Sequence, residues 1–330
     1  MLAGKTIKAF PSTFRVQIIP NVCQPDSSVL ISKSDIPLAV DGMYSEDFDE
    51  KAIKRILKKL DTMVGLHQVK RAIHNFVEVA RYCHQHGQPY FSRESMRWVF
   101  TGNTGTGKST VAGIVGELLK AMNVLEKGHL VEVKAEELYS VPEYKIDDVL
   151  QSAMKRSRDG LLFIDGDAPQ FKNMETQFNG ESLRFKLSSL MVDLPGVYAL
   201  VVAEHAPRQH TLTKSLIENG MPEFNHTLHF EDYTDEELLL ILEQCLKKKK
   251  LCFESKARLH MSVYIHHLCK QRELGYANAR TMKLLANAII DKYLLRVSRL
   301  EETATKSVIW EDVREFVWKQ LKETKKIGFR

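Results

Sequence analysis

The chain has 330 residues, more than one small core needs at ~100–200 residues per domain, so two packed units with extras are expected. Hydrophobic residues at 44% and charged residues at 27% match an ordinary folded soluble chain and exclude a disordered or fibrous one. With 47 basic against 42 acidic side chains the net charge is +5, spread along the sequence, which allows a nucleic-acid role without indicating it.

Residues 1–45 contain short β-like runs, 14-FRVQII-19 and 29-VLISKS-34, broken by Pro11, Pro20, Pro25 and Pro37; they form an extension with no assigned role. From Ser45 the pattern turns helical. The segment 45-SEDFDEKAIKRILKKL-60 opens with acids and closes with lysines, the order a helix dipole favours. A second helix spans 66-LHQVKRAIHNFVEVARYCHQHG-87 and closes at Gly87. Next, 97-RWVFTGN-103 reads as a buried strand and 108-KSTVAGIVGELLKAM-122 as the helix after it. The strands 129-HLVEVKA-135, 161-LLFID-165 and 197-VYALVVA-203 alternate with helical segments, the spacing of a parallel sheet with crossover helices. After 228-LHFEDYTDEELLLILEQCLKKKK-250 the pattern reads as helical to the end, and this tail, from about Thr234, reads as a separate helical lid. The expected organisation is an extension over 1–45, an α/β domain over 46–231 and an all-α lid over 232–330.

Lys247 to Lys250 close a helix that begins near Thr234, where the dipole alone accounts for lysines. His84 with His86, and His266 with His267, lack the companions of a metal site. Cys23, Cys83, Cys245, Cys252 and Cys269 are odd in number with no C-x-x-C pair, as expected of free thiols in a reducing compartment. The N-terminal MLAGKTIKAF has no apolar core of signal-peptide length, and no apolar run reaches about 18 residues. A cytoplasmic protein without a membrane anchor is the expectation.

The chemistry concentrates in 102-GNTGTGKST-110, a full G-x-x-x-x-G-K-[ST] motif between a predicted strand and a predicted helix. Gly102, Gly105 and Gly107 let the backbone curl through Asn103, Thr104 and Thr106, so that successive N–H groups face phosphate oxygens. Lys108 brings a positive charge to the β and γ phosphates of ATP or ADP, the Ser109 hydroxyl can ligate Mg²⁺, and Thr110 follows in the first helical turn. Asp165 ends an apolar strand, where a second carboxylate reaches the metal shell in a P-loop NTPase. A structural aspartate capping the turn 165-DGD-167 is the alternative.

From about Asp61 to Arg296 the chain resembles the AAA+ ATPases of the CbbX and stage V sporulation protein K group. The matching pieces are 64-VGLHQVKRAI-73, 99-VFTGNTGTGKST-110, 161-LLFID-165, 201-VVAEH-205, 228-LHFEDYTDEELLLIL-242 and 275-GYANARTMKLLANAI-289. The resemblance implies an AAA+ sheet domain followed by a helical lid. It implies that Gly65 and Leu66 lie near the adenine and that Arg280 is the lid arginine of the sensor-2 motif. It also implies homo- or hetero-oligomeric rings with ATP at subunit boundaries, a protein client, and arginines lent by the neighbouring subunit. The chain departs from that pattern where hydrolysis is concerned. Gly166 stands where the family has a glutamate, 220-GMPEFN-225 lacks the family's arginines, and no arginine occurs between Arg208 and Arg258. Lys283 replaces the usual second lid arginine, and the loop 138-LYSVPEYKI-146 is shorter than usual. Losing an arginine finger costs ~10³–10⁵ in rate, about 4–7 kcal/mol, whereas affinity rests on the intact cradle.

The resulting expectation is an ATP·Mg²⁺-binding regulatory or structural subunit that hydrolyses weakly by itself and works beside an active paralogue whose arginines complete mixed sites. The rival is an active remodelling ATPase in which Glu204 or Asp167 replaces the missing glutamate. A nucleic-acid-associated ATPase is a third reading, and the weak net charge with no basic, aromatic-interleaved stretch counts against it.

Overall fold

The computed structural model describes residues 47–87, 96–134, 137, 141, 143–165, 199–204, 226–271, 276–299 and 306–317. The readings placed on 1–45, 138–140, Gly166, Asp167, His205 and 220–225 lie outside these residues. Contacts within the chain divide it into two units, Met1–Glu231 and Asp232–Arg330.

The first unit opens with α1 (Glu50–Asp61), which starts later than Ser45 because Asp49 is the cap: its Oδ1 accepts from the Ala52 N–H at 2.9 Å. Glu50 in the first turn and Lys58 and Lys59 in the last suit the dipole. Helix α2 (His67–Gln85) follows. Both bury one apolar stripe, Ile53, Ile56, Leu57 and Leu60 on α1 and Val69, Ile73, Phe76, Val77 and Ala80 on α2. Then come β1 (Arg97–Gly102), α3 (Lys108–Ala121), β2 (Leu130–Lys134), α4 (Glu143–Arg156), β3 (Leu161–Asp165), β4 (Ala199–Glu204) and β5 (His226–Phe230).

The five strands pair in parallel in the order β2-β3-β4-β1-β5. The expected parallel sheet is present, and it has a strand that the sequence reading did not name: His226–Phe230 lies beside β1, with Trp98 opposite His226 and Gly102 opposite Phe230. His226, Leu228 and Phe230 are buried while Thr227 and His229 are exposed, the period-2 signature of a strand. Two histidines in five residues hide that alternation from a hydropathy reading. His226 earns its burial through its ring, stacked on Trp98 at 4.2 Å between centroids, with Phe76 of α2 edge-on to Trp98 at 4.9 Å.

Strand alternation separates the two sheet faces. Trp98, Phe100, Leu161, Phe163, Ala199, Val201, Ala203, Leu228 and Phe230 join the core formed with α1, α2 and α3. Val99, Leu162, Ile164, Leu200 and Val202 are buried on the opposite face.

The second unit contains α5 (Asp235–Lys248), β6 (Cys252–Phe253), α6 (Ser255–Gln271), α7 (Asn278–Val297), β7 (Ser307–Val308) and α8 (Trp310–Val313). Helix α5 starts where the sequence places it. Thr234 accepts from the Glu237 N–H at 3.2 Å and Glu237 accepts from the Thr234 N–H at 3.0 Å, a reciprocal capping box. The unit is not purely helical, because β6 and β7 form a short parallel pair. Arg296 of α7 holds this C-terminal part: it donates to both carboxylate oxygens of Asp312, at 2.8 and 3.0 Å, and to the Ser307 carbonyl at 3.1 Å. Among the described residues no helix is long and apolar enough to cross a membrane, and Cys83, Cys245, Cys252 and Cys269 are free thiols.

Candidate functional site

Between β1 and α3 the backbone does what the glycine spacing requires. Gly102, Gly105 and Gly107 have φ of +145°, +77° and +104°, values that L side chains rarely adopt. Gly102 is further constrained by its neighbour, since a Cβ there would lie 2.3 Å from the Phe230 carbonyl oxygen. The loop is tied to itself as well. The fully buried Thr106 donates its hydroxyl to the Asn103 carbonyl at 2.8 Å, and the Lys108 ammonium donates to the carbonyls of Gly102 at 2.7 Å and Asn103 at 3.0 Å. Lys108 is only 6% exposed, so a fixed positive charge sits inside the loop at the start of α3, where the helix dipole adds to it. Ser109 is half-buried and Thr110 exposed in the same first turn; Thr104 belongs to the loop itself.

The sheet register places the acids. Asp165 pairs with Ala203, and Glu204 with Thr101. Asp165 continues the row of Leu161 and Phe163, so it stands on the face covered by α3, whose first turn carries Ser109. Strand β4 separates β3 from β1, so Asp165 lies two strand spacings, about 9–10 Å, from the strand that feeds the loop. The strand directly beside β1 ends in Glu204, only 6% exposed and on the opposite face from Asp165. There it begins a polar row across three strands, Glu204, Thr101 and His229, in which Thr101 Oγ1 and His229 Nδ1 are 3.0 Å apart. A hydroxyl and a carboxylate are the hard oxygen donors that Mg²⁺ takes, and Ser109 and Asp165 supply them from one face. Among the described residues no cluster of three or more His, Cys, Asp or Glu side chains could hold a metal by itself.

Gly65 and Leu66 form the turn between α1 and α2, both left-handed at φ +61° and +56°. A hydrogen bond places this turn at the rim of the sheet: Gln68, two residues on, donates to Glu231 at 2.8 Å, and Glu231 follows the Phe230 that pairs with Gly102.

In the lid unit, Arg280 is exposed in the first turn of α7, where its backbone N–H donates to the Ala277 carbonyl at 2.8 Å. The turn that carries it is held by Asn278, 2% exposed and at φ +40°. Its Nδ2 donates to Asp232 at 2.9 Å and its Oδ1 accepts from the Tyr233 N–H at 3.4 Å. Burial, with Glu237 adding to it, pushes the Tyr233 hydroxyl up to about 12, so that side chain stays neutral. Sequence reasoning singled out Arg280 and missed Asn278, because its partners are more than forty residues away.

A parallel β2-β3-β4-β1-β5 sheet with a phosphate loop after β1, followed by a helical unit, defines a P-loop NTPase of the AAA+ class, a nucleotide-binding class. Residues 234–323 match the AAA lid domain. The chain is 29% identical over 219 residues to stage V sporulation protein K of Bacillus subtilis, covering 64% of this chain and 66% of that protein. It is 27% identical over 263 residues to CbbX of Cereibacter sphaeroides, covering 77% and 81%. Among solved structures, the RuvB Holliday junction branch migration motor of Thermotoga maritima matches with a TM-score of 0.47 at 17% identity, covering 77% of this chain and 68% of that one. The chain is thus similar to AAA+ proteins of the CbbX and stage V sporulation protein K type.

Proposed function

We propose that this chain binds ATP·Mg²⁺ in the loop 102–110, hydrolyses it slowly by itself, and serves as a regulatory or structural subunit of an oligomeric AAA+ assembly. The observation that carries the reading is the contrast between an intact cradle, with Lys108 buried against its own loop carbonyls, and the sequence GDA after Asp165, which has no adjacent glutamate. In this reading the loop N–H groups and Lys108 bind the phosphates, Gly65 and Leu66 contact the base, and Arg280 contributes from the lid. Ser109 and Asp165 would hold Mg²⁺, which when bound offsets phosphate charge. A partner chain that carries arginines would complete the site, and a protein client is the substrate of the assembly.

A second reading has one specific observation in its favour. Glu204 is a buried carboxylate at the end of the strand beside β1, a place from which it could act for the absent glutamate. Turnover by the purified chain separates the two. The first reading expects ATP·Mg²⁺ to raise the melting temperature by mass action, Lys108→Ala to remove most of that shift, and turnover far below ~1 s⁻¹. Turnover at or above that value, abolished by Glu204→Gln, establishes the second instead. No thermal shift and no calorimetric heat at millimolar ATP defeats both.

A further inference from the structure

The turn at Gly65 and Leu66 carries strain that the fold has gone to some length to maintain. Glycine adopts φ +61° at no steric cost, but leucine at φ +56° does not. A non-glycine residue in that region persists only where its surroundings over-determine it, and such outliers concentrate at ligand-binding positions. Here the surroundings can be named. The Leu66 side chain packs against the main core. The Lys70 ammonium, one turn into α2, reaches back and donates to the carbonyls of Met63 at 2.5 Å and Asp61 at 3.2 Å. These carbonyls lie at and just beyond the end of α1, where intrahelical donors run out. The Asp61 carboxylate in turn meets His74 Nε2 at 3.0 Å. On the other side, Gln68 bonds Glu231 at the rim of β5. The turn is therefore pinned to α1 by Lys70 and to the sheet by Gln68, beside the strand pair in which Gly102 opens the phosphate loop.

Lys70 does not serve as an ordinary surface cation. No carboxylate pairs with it among the described residues, and its donors are spent on main-chain oxygens of one short segment. A lysine used in this way fixes backbone position. It is also too far along α2 from the turn to be replaced by a capping residue, and Leu66, the residue before α2, makes no side-chain cap of its own.

We infer that Lys70 is a positioning residue for recognition of the nucleotide base: it holds the strained Gly65–Leu66 turn at the sheet rim where the base of a purine nucleotide meets it. The inference rests on the reading of 102–110 as a phosphate cradle and of 65–66 as the base contact. Its signature is selectivity, because a residue that merely stabilises the domain weakens every ligand of the loop alike, whereas one that positions the base contact weakens only ligands that have a base.

The test compares ATP with inorganic triphosphate, both with Mg²⁺, by calorimetry on the full chain. Lys70→Met keeps the apolar stem and removes the donors. It is expected to weaken ATP about tenfold, as loss of charge-assisted hydrogen bonds implies, while triphosphate changes less than about twofold. Lys70→Arg keeps donors and charge and is expected to restore most of the ATP affinity. Gln68→Met removes the second, more exposed anchor and is expected to act in the same selective direction by about threefold; it serves if Lys70→Met does not fold. Equal weakening of ATP and triphosphate by these variants makes Lys70 structural only and overturns the inference, as does unchanged ATP affinity. If the wild type binds triphosphate as tightly as ATP, the base-contact reading itself fails, and if it binds neither, the cradle reading fails; both results overturn the inference for a separate and recognisable reason.

Discussion

Replacing glycine by alanine at Gly102 and at Gly113 should have opposite effects, and the geometry says by how much. At Gly102 the new Cβ would lie 2.3 Å from the Phe230 carbonyl oxygen and 2.9 Å from the Phe230 Cβ. Reaching even the shortest normal contact requires a displacement of roughly 0.7 Å, where van der Waals repulsion is steep. The obstacle is backbone and Cβ of β5, paired to β1 through five registered residues, so it cannot rotate away. Overpacking of this kind costs about 1–3 kcal/mol, and holding alanine at φ +145° adds about 1–3 kcal/mol more. Against a total stability of ~5–15 kcal/mol, Gly102→Ala should lower the urea midpoint of the first unit markedly and weaken ATP binding with it. At Gly113, inside α3, the nearest atom to an added Cβ is Leu130 Cδ2 at 4.0 Å, an ordinary contact. Gly113→Ala should therefore gain the helix propensity of alanine, about 0.5–1 kcal/mol, and leave ATP binding unchanged. Urea unfolding followed by circular dichroism measures both variants. A Gly102→Ala protein as stable as the wild type, or a Gly113→Ala protein as damaged as Gly102→Ala, would refute the reasoning.

Two predictions concern the lid unit. Asp312→Ala leaves the Arg296 guanidinium facing a pocket built for a carboxylate that is only 1% exposed, and should destabilise the unit by about 3–5 kcal/mol; the double variant Arg296→Met with Asp312→Leu should recover much of that loss, as thermal melts can show. The Asp235 carboxylate is held below its ordinary value, first by its hydrogen bond with His266 and then by one with Glu236. A depressed folded-state value means that the stabilisation is present above the ordinary aspartate range and is lost as pH falls through the depressed value. His266→Ala should consequently shift the acid-unfolding midpoint of the lid to higher pH, and an unchanged midpoint would show that this pair contributes nothing.

The phosphate loop was legible in the sequence because everything it needs is local. Three glycines permit the curl, Lys108 and Ser109 follow at fixed offsets, and a strand and a helix flank them, so consecutive residues decide the geometry. The start of α5 was legible for the same reason, since Thr234 and Glu237 cap each other within one turn. The tertiary structure alone decided which strands are neighbours. Alternation announces a strand without naming its partner, so the sequence could not place β4 and Glu204 between Asp165 and the loop. It also could not show that His226–Phe230 is a strand, because two of its five residues are histidines, of which His229 is exposed and His226 is buried against Trp98 within the sheet. The pairs that hold the Gly65–Leu66 turn in the first unit, Gln68 with Glu231, and the start of α7 in the second, Asn278 with Asp232, meet only after chain closure over 163 and 46 residues. No local pattern encodes such pairs, because the free energy that brings them together comes from burying the core between them rather than from the pairs themselves.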